Sequence, residues 1–286
     1  MLHPDELVGR VVDERTTTFR AEDTMLYALA TGLGADPLDA GQLRYVYEES
    51  LLALPSMCLV LGYPGFWLRK PEYFVDWTRV LHAEEAFTLH APLPTAGTLA
   101  SRTTVTAVVD RGVDKGAYIH STREVRDATD GRLLATVDSV SVARGDGGLG
   151  GGGEPPVART HAPPTRAPDA VCDLPTLPQQ ALLYRLCGDA NPLHADPAVA
   201  RQAGFERPIL HGRCTMAVAQ HALLRTCCDY DARRLGSMRV RFTAPFYPGE
   251  TLRTRIWTEG DTVYFDAASA ERGVTVLGHG VATLSG

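Results

Sequence analysis

Lysine is nearly missing from this chain: of 28 basic residues among 286, only Lys70 and Lys115 are lysine. The 34 acidic residues outnumber them, giving a net charge of −6 and a pI near 5.8. A surface of that sign is a poor match for nucleic acid or an anionic membrane, so neither is expected as a partner. No stretch approaches the roughly 20 consecutive apolar residues that a membrane span requires. The opening MLHPDELVGR has no basic segment ahead of an apolar core, and the closing TLSG is not the peroxisomal tripeptide. Together these predict a cytoplasmic protein. The six cysteines, at 58, 172, 187, 214, 227 and 228, form no CxxC pair. Free thiols in a reducing compartment are therefore expected, not a disulfide framework. GxSxG is also missing, and Cys187 and Cys214 sit among apolar neighbours, so nucleophilic catalysis has no evident carrier.

The 44% hydrophobic and 22% charged fractions are those of an ordinary globular protein. The length suits two domains of about 140 residues. Composition breaks once, at 144–168, RGDGGLGGGGEPPVARTHAPPTRAP, where Gly and Pro dominate and large apolar side chains are almost absent. Such a stretch buries too little to offset its ordering entropy and reads as a flexible or extended linker. Boundaries follow at 1–145, 146–166 (the linker) and 167–286.

The halves repeat one another. APLPTAGTL at 91–99 matches APFYPGETL at 244–252, and both Pro92/Pro245 and Leu99/Leu252 are 153 apart. Pro55 and Pro208 share that offset, while Leu26/Leu183 and Pro37/Pro192 stand 157 and 155 apart. Landmarks in one order at nearly one spacing indicate a duplicated domain. Each half opens with a helical segment, FRAEDTMLYALATG or LPQQALLYRLCG, with apolar residues three and four apart. A proline-marked loop and a more continuously apolar helix are expected next, at about 212–228 in the second half. Strands close each half. In the second they are VRFTAP, TLRTRIWTE, TVYFDAASAE and TVLGHGVATL, separated by PGE, GD and RG turns. One buried helix against one antiparallel sheet, twice, predicts an α+β protein whose sheets join edge to edge.

Comparison of the copies locates the chemistry. Asp189-Ala-Asn191-Pro-Leu-His194 in the second half stands against Ala35-Asp36-Pro37-Leu38-Asp39 in the first, and Pro208-Ile-Leu-His211-Gly212 against Pro55-Ser-Met-Cys58-Leu59. The fold-making residues are shared and the polar ones are not. Asp189 and His194 on one proline-stiffened loop form an acid/base pair able to address one water. Gly212 opens the apolar helix, where free N–H groups and the dipole favour negative charge, and lacks a side chain to block a carbonyl. Such a site suits a reaction passing through an oxyanion. The competing reading is structural: Asp189 as cap, Asn191-Pro192 as turn, His194 as a satisfied core histidine. A metal reading would use His194, Asp196 and His211, whose spacing matches no common zinc pattern.

YRLCGDANPLHADPAVARQAGFERPILHGRCT at 184–215 closely resembles the signature of the R-specific enoyl-CoA hydratases, the MaoC-like hydratase 2 family. RYVYEES at 44–50, VLHAEEAF at 80–87, PLPTAG at 92–97, VDKG at 113–116 and RFTAPFYPGETL at 241–252 extend the resemblance over nearly the whole chain. It implies a double hot-dog fold, each half a long helix wrapped by a sheet. It also implies reversible hydration of trans-2-enoyl-CoA to (3R)-hydroxyacyl-CoA without metal or organic cofactor, and a homodimer. The carrier would be CoA, with acyl carrier protein as the other thioester possibility. Carried over by position, Asp189 and His194 are the catalytic pair with Asn191 between them, Gly212 donates to the thioester oxygen, and Glu48 matches an acid needed for activity. His82, Ala83, Lys115 and Phe242 fall on substrate-contacting positions. Ala83, Cys187 and Glu49 depart from the usual Gly, Ser and Gly, which weakens the assignments around 82–83 and 48–49. Lys115, kept in a chain that otherwise uses arginine, is either a compact ammonium for a CoA phosphate or an ordinary turn lysine. An acyl-CoA thioesterase and a non-catalytic acyl-CoA-binding subunit are the alternatives.

Overall fold

The computed structural model describes residues 2–150 and 162–285. Ten strands form one antiparallel sheet: β1 (Val11–Phe19), β2 (Val80–Leu89), β3 (Gly97–Asp110), β4 (Ala117–Asp127), β5 (Leu133–Ala143), β6 (Ala170–Pro175), β7 (Leu235–Phe242), β8 (Thr251–Glu259), β9 (Thr262–Ser269) and β10 (Thr275–Leu284). Their order is β1-β3-β4-β5-β2-β7-β10-β9-β8-β6. The first five strands and the last five thus follow the same winding. The two halves meet through β2 and β7, where the expected edge-to-edge junction forms. This is the α+β double hot-dog arrangement.

The register of that junction fixes its symmetry. Ala86 pairs directly with Arg239, and these two positions differ by the same 153 that separates the sequence landmarks. An internal pseudo-two-fold axis therefore passes through this pair and exchanges residue i with residue i+153 on either side of it. The seam also carries charge. Arg241 lies across from Glu84 and its guanidinium reaches the carboxylate at 2.6 Å.

A short helix forms in each half where apolar periodicity placed one, Ala21–Leu29 and Gln180–Tyr184, but it does not open the half: β1 and β6 come before it. The second helix forms in one half only. Gly212–Cys227 is a 16-residue helix, buried from Arg213 to Leu224, packed in the curve of the second five-strand group. Pro55–Leu59 of the first half makes only a 3₁₀ turn. The reason lies just beyond it, in Gly62-Tyr-Pro64-Gly65. Proline denies a helix its N–H, and Gly62 and Gly65 adopt φ of +63° and +71°, a left-handed backbone that suits glycine. The carbonyls of Cys58 and Leu59, which a continuing helix would have engaged, instead accept from Arg123 Nη2 at 2.9 Å each. The implied long helix in each half is thus corrected to one.

The flanks of the Gly/Pro-rich segment are hydrogen-bonded to the folded halves. Asp76 N–H donates to Asp146 Oδ2 at 3.0 Å, and Gly148 and Gly150 N–H donate to the Asp110 carboxylate at 2.9 and 3.1 Å. On the far side Trp257 Nε1–H donates to the Arg166 carbonyl at 2.8 Å. The remainder of the 146–166 segment, residues 151–161, lies outside the described residues.

Candidate active site

Where the Gln180–Tyr184 helix ends, Gly188 takes φ of +121° and turns the chain into the loop 189–194. Asp189 Oδ1 accepts from Asn191 N–H at 3.3 Å, and Asn191 Oδ1 from Leu193 N–H at 3.1 Å, capping a 3₁₀ turn over Pro192–His194. Asn191 therefore shapes the loop. The turn swings the His194 ring inward, where 9% of its surface stays exposed. His194 Nδ1 lies 2.9 Å from the Ile209 carbonyl. A carbonyl can only accept, so Nδ1 carries the proton and Nε2 holds a free lone pair in the neutral ring. Burial lowers the His194 pKa below its ordinary 6.5, against the raising pull of the Ile209 bond and Asp189, so the neutral ring is favoured.

His211 joins the loop to the long helix. Its Nε2–H donates to the Asp189 carbonyl at 3.0 Å, and its ring stacks on His194 with centroids 3.8 Å apart and 28° between planes. The next residue, Gly212, begins the helix, and its N–H belongs to the first turn, which has no intrahelical acceptor. Asp189, His194 and Gly212 are thus brought together by a residue that the site assignment omitted. Its signal was available, since His211 is matched by Cys58 in the other copy.

The first half closes the site through β2. Between His82 and Glu84 the pairing with β5 slips by one, leaving Ala83 as the extra residue of a β-bulge. A bulge breaks strand alternation, so residues three apart come to one face: His82 Nε2 lies 2.5 Å from Glu85 Oε2, off the line a hydrogen bond needs. The His82 ring packs on Phe242 at 4.7 Å, and a Cβ on Gly212 would stand 2.9 Å from the Phe242 ring. Glycine at 212 therefore also makes room for Phe242. Gly212→Ala is expected to push ring against helix start and lower kcat/KM by about tenfold or more, because small misplacements at a reacting centre are costly. Steady-state kinetics beside a thermal melt would check this, and unchanged kinetics would remove Gly212 from the site.

Beneath the site lies a buried ionic cluster that the sequence reading missed. Glu85 is fully buried and accepts from Arg213 Nε at 3.0 Å and from Ser139 Oγ at 2.9 Å. The Arg213 guanidinium stacks on the Tyr63 ring at 4.0 Å. Burial would raise the Glu85 carboxyl, but the charges of Arg213 and His82 outweigh it and bring it down to about 2. Glu85 and Arg213 are 128 residues apart in different halves, so neither announces its partner in the sequence.

Two assigned residues fall outside the constellation. Glu48 is exposed on a turn. Tyr45, just before it, donates its hydroxyl to the Tyr230 carbonyl at 2.6 Å, past the C-terminus of the helix that Gly212 opens. That helix is about 24 Å long, at 1.5 Å per residue, so the Tyr45 hydroxyl is anchored at the end remote from the loop 189–194. Lys115 is exposed in the β3–β4 turn, but at the same rim of the sheet as His82, since Ala117 and Val80 both pair with Ala143. The metal triple does not converge. His194 Nδ1 and His211 Nε2 are spent on carbonyls, and Asp196 caps the next helix through Ala198 N–H at 2.7 Å. Among the described residues no other three potential ligands cluster, and no helix is long and apolar enough to cross a membrane.

Burial of two stacked histidines sets a pH response. Desolvation, then repulsion by a protonated His194, lowers the His211 pKa to about 3. Above the ordinary 6.5 both folded and unfolded states are neutral and the group contributes nothing. Below it the unfolded chain takes up a proton that the fold refuses, and stability falls as pH drops from 6.5 toward 3. At pH 5 this amounts to about 2 kcal/mol for His211. Urea unfolding at pH 7 and 5 should register the loss, and His211→Phe should flatten it; an equal drop in that variant would assign the response elsewhere.

Comparison with known proteins accounts for both halves. Residues 18–145 match the MFE-2 hydratase 2 N-terminal domain, and residues 159–279 match the MaoC like domain. Enoyl-CoA hydratase ChsH3 of Mycobacterium tuberculosis is 38% identical over 97% of this chain and 96% of its own. The crystal structure of a MaoC-like dehydratase from Phytophthora capsici superposes with a TM-score of 0.88, at 31% identity over 99% of this chain and 98% of that one. A further M. tuberculosis structure, described as having a double hotdog fold, covers 98% of this chain and 97% of its own at a TM-score of 0.57; its 16% identity bears on the fold alone. With full-length relatives above 30% identity and both halves matched, the chain belongs to the MaoC-like hydratase 2 family of hydro-lyases.

Proposed function

We propose that this enzyme reversibly hydrates trans-2-enoyl-CoA to (3R)-3-hydroxyacyl-CoA, with Asp189 and His194 as the acid–base pair and the Gly212 N–H as oxyanion donor. One observation carries the reading: His211 ties the Asp189 backbone, the His194 ring and the start of the long helix into one unit. The relative named enoyl-CoA hydratase supports the reaction class. His194, with Nδ1 fixed on the Ile209 carbonyl, offers a neutral Nε2 lone pair to a water. Asp189 orients that water over C3 of the enoyl thioester. As the water's proton passes to the pair and its oxygen bonds to C3, the C2–C3 π electrons move toward the carbonyl. The thioester oxygen gains negative charge, which the Gly212 N–H stabilises. Collapse of the enolate takes a proton at C2 from the same loop, completing addition of H and OH.

The first half supplies space. A 3₁₀ turn in place of a long helix leaves the apolar stretch 50–68 as a wall for the acyl chain. His82, Ala83 and Phe242 border the reacting end, and Lys115 on the same rim is placed for the anionic end of CoA. Glu48 has no step in this scheme.

The test is crotonyl-CoA hydration. Loss of enoyl absorbance without thiol release, yielding a product oxidised by a (3R)-specific but not a (3S)-specific dehydrogenase, is the expected result. Thiol release would replace the reading with thioester hydrolysis, and a (3S) product would overturn the assigned face of attack.

A further inference from the structure

We propose that the chain holds a second, non-catalytic acyl-binding site at the pseudo-two-fold image of the catalytic one. A cavity of about 220 Å³ lies at the opposite end of the β2–β7 seam, lined in part by Pro55, Leu89, Leu235 and Gly236. Applying the 153-residue offset of the axis through Ala86 and Arg239 returns these residues as images of site positions. His82 maps to Leu235, Ala83 to Gly236, Phe242 to Leu89 and Pro208 to Pro55. The duplication has thus kept the hollow while removing its chemistry: His211 maps to Cys58, and His194, at the 155 offset of its loop, to Asp39. Asp39 is spent as a helix cap, accepting from Gly41 N–H at 2.8 Å. His90 also lines the hollow, but its Nε2 lies 2.8 Å from Thr136 Oγ1 and no carboxylate stands with it among the described lining residues, so the hollow lacks an acid/base pair and binds without turnover.

Its lining identifies the occupant. Leu52, Ala53, Leu89, Ala91 and Leu235 make the wall apolar, and Arg233 brings a cation. Arg233 uses Nε and Nη2 on Asp231, and among the described residues its Nη1 makes no hydrogen bond. An apolar hollow with one available guanidinium N–H group fits a fatty acyl group whose carboxylate or thioester oxygen meets the arginine. The volume is below the roughly 300 Å³ at which pockets take drug-sized ligands, so a short or medium chain is the match. From His82 to Leu89 the seam runs seven residues, about 23 Å at strand rise, which separates this site from the catalytic loop.

Methyl-labelled NMR of the whole protein, titrated with octanoate and separately with octanoyl-CoA, tests the assignment. Octanoate should shift the methyls of Leu52, Leu89 and Leu235. Ala91→Phe should abolish those shifts while crotonyl-CoA hydration stays unchanged, and Gly236→Leu serves if that variant unfolds. Comparison of the two ligands tells whether a free fatty acid or a thioester is the better occupant. Shifts that survive both filling variants, or no shift with either ligand, overturn the proposal. So do shifts that appear only with the CoA ester and together with those of Ile209 and Leu210, which would make the hollow the far end of the catalytic channel. Binding is read without turnover, so a failure of the hydratase assignment would show separately, as absent hydration beside intact shifts.

Discussion

Asp189→Asn and His194→Gln should each lower crotonyl-CoA hydration by about 10²–10⁴, the usual worth of a positioned acid or base. The geometry makes both variants clean. Asparagine at 189 keeps an oxygen for the Asn191 N–H, and the bond to His211 uses the backbone carbonyl, which substitution leaves in place. Glutamine at 194 can still donate an amide N–H to the Ile209 carbonyl while losing the Nε2 lone pair. Each change removes proton handling and leaves substrate contacts intact, so kcat and kcat/KM should fall together with KM little changed. Normal turnover in either folded variant would end the assignment. A raised KM with kcat preserved would place the residue in binding instead.

Four strands of the second half were legible because alternation and turn residues agree locally: TLRTRIWTE became Thr251–Glu259 and TVLGHGVATL became Thr275–Leu284, whereas β6, the short edge strand Ala170–Pro175, was not read. The junction was legible because the duplicate copies keep Pro92 and Pro245 in step. The loop 189–194 was singled out by subtracting one copy from the other, since capping and packing needs are common to both and acid–base chemistry is needed once. The same subtraction held His211 in view, yet its role depends on a stacked ring 17 positions from His194, which sequence spacing does not express. The missing helix of the first half was misread because SLLALPSMCLVLGYPGFWL is apolar enough to be buried as helix or as coil. What decides is Gly62-Tyr-Pro64-Gly65 together with a buried arginine from β4, and only the assembled fold delivers Arg123 to the open carbonyls. The place of Glu48 was not legible either, because local resemblance around RYVYEES carries no information about which end of the long helix its turn reaches.

Removing one member of the Glu85–Arg213 pair should destabilise the protein by about 3–5 kcal/mol, the cost of stranding a buried charge. Glu85→Ala is the more severe case. Arg213 stands at the second position of the long helix, where the dipole already opposes a cation, and Glu85 is the carboxylate that offsets it. Arg213→Met leaves Glu85 able to take up a proton, so its penalty should shrink in acid. The carboxyl of the intact protein is held at about 2, below its ordinary 4.5. A depressed carboxylate contributes stability above the unfolded pKa and loses it as pH falls through the folded one. This contribution of about 3 kcal/mol is therefore complete above pH 4.5 and disappears toward pH 2, below most of the range in which the histidines act. The apolar double variant Glu85→Leu/Arg213→Met should regain much of what either single change loses, because two desolvation penalties vanish together. Activity should not return with it. Arg213 adjoins the Gly212 N–H proposed as the oxyanion donor, and in that scheme an apolar pair removes a fixed cation from beside the developing charge. Urea midpoints and kcat measured on the three variants separate these outcomes: stability and turnover recovering together would reduce the cluster to packing, whereas a stable, slow double variant would assign it to the electrostatics of the reaction.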